Sequence, residues 1–240
     1  MTVKGCLIHP WRKQARQSMT QVISIVQEKG GAGKTTLLTA LASLMVGDGA
    51  RVAVIDTDPQ RHLEAWAKKG KTELDWLFEE DDEKLIPTVK ALKKSDTPYD
   101  VIFIDTAGFK SAMAMHAIAA ANLILIPSKA NEADAKGARR TYSHVQSVAE
   151  TMEKDIASLV VMMDVDTHTN ITKAITDALD AQNIPRLNAV CAHRTGFKEM
   201  TSTGRAPDGS AKASARSVLA ELQIKKMISF YGSRAWQKSA

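Results

Sequence analysis

Residues 26–36 read VQEKGGAGKTT. Glycines let a backbone close around an anion. The amides of Gly30, Gly31, Ala32, Gly33, Lys34, Thr35 and Thr36 can ring phosphate oxygens where a helix starts. Lys34 would reach the β- and γ-phosphates, and the Thr35 hydroxyl would hold Mg²⁺. The ordinary spacing of such a loop is G-x-x-x-x-G-K-[ST]. Here Glu28 takes the place of the first glycine, and a second lysine, Lys29, follows it. The departure poses a question: damage, or a loop that needs the extra cation.

Two acidic segments belong to the same chemistry. Asp56-Thr57-Asp58-Pro59-Gln60 follows one apolar run, and Asp105-Thr106-Ala107-Gly108 follows another. A carboxylate at such a strand end can hold a Mg²⁺-bound water, which makes Asp56 and Asp105 candidate metal-side acids. Gly108 can offer its N–H to a γ-phosphate. Either Asp alone would read as a turn or cap residue; both beside a phosphate loop favour the functional reading. The six histidines show no metal-ligand spacing and read as structural or surface residues.

The elements that would position these groups are short apolar runs: VISIV (22–26), RVAVI (51–55), VIFI (101–104), NLILI (122–126) and SLVVMM (158–163), with a last short strand near LNAV (187–190). They are uniformly apolar rather than alternating, as strands covered on both faces are. Helix-like segments begin at Thr35 and lie near 60–69, 111–121, 131–152 and 170–181. This is an α/β pattern: a three-layer, doubly wound, mostly parallel sheet with helices on both faces. Ligands bind outside the carboxyl ends of such strands, where the glycine loop, Asp56 and Asp105 fall. Segment 71–100 breaks the rhythm and reads as a surface excursion. Residues 204–214 read as a mobile polar loop, and Ser214 to Phe230 as an amphipathic helix with Val218, Leu219, Leu222 and Met227 on one side. Residues 1–20 form a basic extension, a candidate for disorder, and residues 21–240 a single domain.

Composition is that of a soluble globular chain, 44% hydrophobic and 25% charged. No apolar run reaches the ~18 residues of a membrane span. Two cysteines without metal-type spacing, Cys6 and Cys191, suggest free thiols in a reducing cytoplasm. The net charge of +5 is uneven. Both ends are basic and the middle is acidic, which favours an anionic partner, nucleic acid before membrane.

KGGAGKTT, DTDPQ, DTAG and LILIP together resemble the deviant Walker A P-loop ATPases of the ParA/MinD family. That family's loop is K-G-G-x-x-K-[ST], so Glu28 in place of glycine is the family pattern rather than damage. The resemblance implies ATP and Mg²⁺ as cofactors and an ATP-dependent homodimer in which Lys29 reaches the partner's phosphates. It implies that Asp58 positions the attacking water, so that Lys29, Lys34 and Asp58 form the catalytic set. The short length is similar to the small ParA type, with some likeness to VirC1, the member that works with conjugative transfer DNA. From this follows a weak, partner-stimulated ATP hydrolase that is cytoplasmic and nucleoid-associated. It would bind DNA non-specifically through Arg205, Lys212, Arg216, Lys225 and Lys226, with Arg194 and Lys198 as further candidates. Hydrolysis would be triggered by a ParB-like or relaxosome-type partner. Base contacts would come from around Met163–Asp166 and Cys191–His193. The alternative is a MinD-like membrane-cycling or cargo-positioning ATPase; against the membrane form, the last ten residues carry no broad apolar face.

Overall fold

The computed structural model describes residues 20–70, 72–108 and 111–229. All of the proposed 1–20 extension except Thr20, and the final residues from Phe230 onward, lie outside the described residues, Cys6 among them. Seven strands form one sheet in the order β3-β2-β4-β1-β5-β6-β7, and each neighbouring pair is parallel. The central strands are β1 (Gln21–Ile25), β2 (Val52–Asp56), β4 (Val101–Asp105), β5 (Leu123–Ser128) and β6 (Ala157–Val165); β3 (Asp75–Phe78) and β7 (Cys191–Ala192) form the two edges.

Helices cover both faces. On one side lie α1 (Lys34–Gly47), α2 (His62–Lys69), α7 (Thr195–Thr203) and α8 (Gly209–Ile224), on the other α3 (Asp82–Lys93), α4 (Ala112–Ala120), α5 (Glu132–Thr151) and α6 (Asn170–Asp180). The strands divide their side chains between the layers. In β4, Val101 and Phe103 join the α1 side, while Ile102 and Ile104 join the α3–α4 side. This two-sided burial is why the strands lack polar alternation.

Three expectations are corrected. Segment 71–100 is not an excursion: DWLF forms β3, in register with β2 from Ala53↔Asp75 to Asp56↔Phe78. As a partly exposed four-residue edge with an acidic first residue, it carries little of the apolar signal of a covered strand. The last strand is Cys191–Ala192 rather than LNAV; the 187–190 stretch follows an isolated bridge, Val160↔Arg186. Residues 209–214 belong to α8 rather than to a polar loop. Their small side chains are contact surface: a Cβ on Gly196 would stand 2.9 Å from that of Ala211.

Candidate functional site

The carboxyl ends of β1, β2 and β4 lie side by side, because β4 pairs with both of the others. The glycine loop leaves β1 and ends at Gly33, the N-cap of α1, at φ 99 and ψ 22. That left-handed conformation suits glycine. An added Cβ would also come within 3.4 Å of Met163 Cε. Around Gly30 and Gly31 a Cβ would meet nothing within 4 Å, so the loop faces open space. Ala32 is buried, and its methyl group lines neither of the cavities described below.

A cavity of about 390 Å³ opens on this loop, lined among others by Gly30, Gly31, Gly33, Lys34, Thr35, Thr36, Asp58 and His62. Lys34 is buried, and desolvation lowers its pKa, with Asp105 and Asp58 pulling the other way. The Thr35 hydroxyl donates to Asp105 Oδ2 at 2.7 Å. Asp105 and Asp56 occupy matching rungs of β4 and β2, and both are buried. Their remaining oxygens, Asp105 Oδ1 and Asp56 Oδ2, have no hydrogen-bond partner among the described residues. Burial pushes the Asp105 carboxyl up to about 7, with the Asp56 charge adding to the shift. Asp56 is also raised, again by burial first.

Two buried carboxylates with orphaned oxygens beside a threonine hydroxyl fit a hard divalent cation. Two carboxylates and a hydroxyl are the kind of donor set Mg²⁺ uses when nucleotide phosphates and water complete its octahedron. Among the described residues no three His, Cys, Asp or Glu gather as a metal site of their own.

Asp58 is half-buried at the cavity wall. Its N–H donates to Asp56 Oδ1 at 3.0 Å, and its Oδ1 accepts the Gln60 N–H at 2.9 Å. Gly108 lies beside the loop, where a Cβ would be 3.8 Å from the Glu28 carbonyl oxygen. Lys29 stands outside this cluster. Its Nζ is 2.5 Å from Asp134 Oδ1, and its side chain is 45% exposed while that of Asp134 is 1% exposed.

Sequence reading missed how α5 grips the front of the loop. Thr141 Oγ1 donates to Gln27 Oε1 at 3.1 Å and accepts the Glu28 N–H at 3.2 Å. A Cβ on Gly137 would reach to 3.0 Å of Gln27 Oε1. Asp134, Gly137 and Thr141 fall on one helical face, but a grip on a loop more than a hundred residues away leaves no local pattern.

A second cavity of about 230 Å³ adjoins Gly31, Gly33 and Thr36 and is lined by Lys129, Met163, Asp164, Arg194, Phe197 and Lys198. Met163 and Asp164 were expected near a base. Asp164 has φ 55, its Oδ1 is 2.5 Å from His193 Nδ1, and its Oδ2 is 3.6 Å from Lys129 Nζ. Cys191 is fully buried, and desolvation pushes its thiol up to about 12. Arg194 and Lys198, further candidates for DNA, are exposed and line this cavity. Of the other basic candidates, Arg205, Lys212, Lys225 and Lys226 are exposed. Arg216 is half-buried in an ion pair with Asp48, and Lys225 Nζ lies 3.6 Å from Glu221 Oε1.

The family model described as VirC1 protein matches residues 20–225. The protein ParA of Rhizobium radiobacter is 31% identical over 140 residues, a match that spans 58% of this chain and 63% of that protein. The protein virC1 of Rhizobium radiobacter is 27% identical over 191 residues, spanning 77% of this chain and 81% of the relative. Among solved structures, an ATP complex of Cyanothece McdA superposes with a TM-score of 0.72 at 16% identity, covering 88% of this chain and 98% of that one. At that identity the likeness bears on the fold alone.

Proposed function

The chain belongs to the VirC1 family of ParA/MinD-type ATPases, and on that premise we propose that it is an ATP hydrolase whose ATP-bound dimer binds DNA without sequence preference. Its work would be ParA-like partitioning or VirC1-like DNA transfer. The observation that carries this reading is the division of labour between two lysines: Lys34 buried inside the loop, Lys29 half-exposed at its rim. A lysine inside neutralises phosphate in its own subunit. One at the rim, paired here with Asp134 of its own chain, would serve a neighbouring copy by leaving that pair.

Thr35, Asp56 and Asp105 would hold Mg²⁺, which when bound neutralises charge on the β- and γ-phosphate oxygens. Lys34 adds a fixed cation in a poorly solvated place, where it counts for more than in water. The Asp58 carboxylate, held by the Gln60 amide, orients the attacking water, and Gly108 contacts the γ-phosphate. Such catalysis is positioning and charge neutralisation, so turnover is slow until a partner of ParB or relaxosome type completes the site. DNA would be held by the exposed Arg205, Lys212 and Lys226, with Lys225 shared with Glu221 and Arg216 tied to Asp48, giving a nucleoid-associated, cytoplasmic protein.

The membrane-cycling alternative is disfavoured. The apolar stripe that would serve as an anchor, Val218, Leu219 and Leu222, is buried in the core shared with α1. Among the described residues no helix is long and apolar enough to cross a membrane.

The test is DNA binding with ATP, with ADP and without nucleotide, across a salt series, for the wild type and Lys29→Ala. The expected result is binding that requires ATP, weakens steeply with salt and vanishes in the variant. Binding indifferent to nucleotide would reduce the basic surface to non-specific adhesion and reject the switch.

A further inference from the structure

One backbone outlier touches the catalytic loop. Arg61 is the N-cap of α2 at φ 51 and ψ 40, and its side chain makes no cap hydrogen bond. A side chain in this left-handed region is disfavoured, and such residues persist where the surroundings fix them. At Arg61 the surroundings can be named. Its guanidinium carbon sits 3.9 Å from the centroid of the Phe78 ring, a cation–π stack. Phe78 ends edge strand β3 and is the rung partner of Asp56. The Glu79 N–H donates to the Asp56 carbonyl at 2.9 Å, so this edge is fastened at the level of the site.

The turn between these points carries Asp58. Its N–H bonds Asp56 Oδ1 at 3.0 Å, its carboxylate accepts the Gln60 N–H at 2.9 Å, and its carbonyl accepts the Arg61 N–H at 2.8 Å. The Arg61 carbonyl then accepts the Ala65 N–H at 3.0 Å, opening α2. The direction of the Asp58 carboxylate is therefore set by a turn whose last residue is Arg61. Glu64 also pairs with Arg61, at 3.4 Å, but it lies on the first turn of α2, in the same segment as Arg61. Phe78 belongs to the sheet.

We propose that Arg61 is a positioning residue for Asp58: stacked on Phe78, its guanidinium anchors the Asp58–His62 turn to the edge of the sheet and fixes where the Asp58 carboxylate points. This rests on the reading that Asp58 orients the attacking water. Arg61 itself touches no reacting atom.

The test separates anchoring from folding. Arg61→Gly relieves the left-handed strain, so the melting temperature should hold or rise. Phe78→Leu keeps an apolar side chain but removes the ring face. Each variant should lower the single-turnover rate of ATP hydrolysis about tenfold, a modest barrier change, with the Kd for a fluorescent ATP analogue within twofold of wild type. Arg61→Lys should recover part of the rate. In nucleotide-free protein, amide exchange over 56–64 should speed up in both single variants. The double variant should be no slower than either single one, because both remove one contact. Rates within twofold of wild type in both variants, unchanged exchange, or independent additive losses would each overturn the proposal. Asp58→Asn is assayed alongside. If it hydrolyses ATP at the wild-type rate, the role of Asp58 falls and this proposal falls with it. If it is inactive while Arg61→Gly hydrolyses ATP within twofold of the wild-type rate, the positioning claim alone is wrong.

Discussion

At the scale of single residues, the site places charge where the fold would rather have none. Asp105 is 1% exposed, with one oxygen on Thr35 and the other unpartnered among the described residues. Its pKa, about 7 in the fold, lies above the 3.8 of a free side chain. The folded state therefore binds the extra proton between those values, and the cation-free protein loses stability as pH rises from about 4 through 7. Asp105→Asn removes the titration. Chemical denaturation at pH 8 without Mg²⁺ should show the variant at least as stable as wild type, while its Mg²⁺-dependent ATP hydrolysis is lost. A variant that is both less stable and active would contradict this account of Asp105. Cys191 shows burial acting on a thiol. With its thiol pushed up to about 12, it should resist iodoacetamide at pH 8 until the protein is denatured, as peptide mapping would show.

At the scale of elements, legibility followed covering. β1, β2, β4, β5 and β6 are buried on both faces, and a continuous apolar run announces such a strand. β3 is partly exposed, and its acidic neighbours hid it. The start of α8 was hidden for a different reason: Ala211 is small because α7 approaches closely at Gly196, Gly209 takes a positive φ of 48 in open space, and small residues in a row imitate a loop. The loop and its two acidic strand ends were legible because phosphate chemistry demands those residue types near one another. The α5 grip on Gln27, Glu28 and Lys29 was not, since the fold alone brings residues 134–141 there. The ends of α2 and α7 meet in a contact that no spacing betrays. A Cβ on Gly204, at φ +70, would stand 2.4 Å from the Trp66 carbonyl oxygen and 2.3 Å from the Gly70 nitrogen. Both obstacles are backbone, and Trp66 Nε1 also donates to the Met200 carbonyl at 3.0 Å. Gly204→Ala should therefore cost about 2–4 kcal/mol in urea unfolding, the range of overpacking and strain combined. A cost below about 1 kcal/mol would show that the helices separate easily.

At the scale of the whole molecule, the five basic residues expected to meet DNA do not stand alike. Lys212, Lys226 and Arg205 are exposed, whereas Arg216 is half-buried and tied to Asp48, the C-cap residue of α1. A cation beside the last turn of a helix also meets its partial negative charge, so Arg216 joins the phosphate-loop helix to α8. Its side chain is 40% exposed, which limits the pair to no more than about 1 kcal/mol. Lys225 is weakly occupied by Glu221 at 3.6 Å. Non-specific DNA affinity depends on how many cations displace counterions, each phosphate contact adding about −0.9 to the slope of log affinity against log salt. Lys212→Gln combined with Lys226→Gln should make that slope shallower by about 2 in the ATP state and leave the melting temperature unchanged. Arg216→Gln should lower the melting temperature and change the slope by less than one contact. If Arg216→Gln instead flattens the slope while stability holds, the Asp48 pair opens on DNA and α8 meets the duplex through its half-buried face. If neither substitution changes the slope, the DNA surface lies elsewhere, and the cations lining the second cavity, Lys129, Arg194 and Lys198, become the next to test.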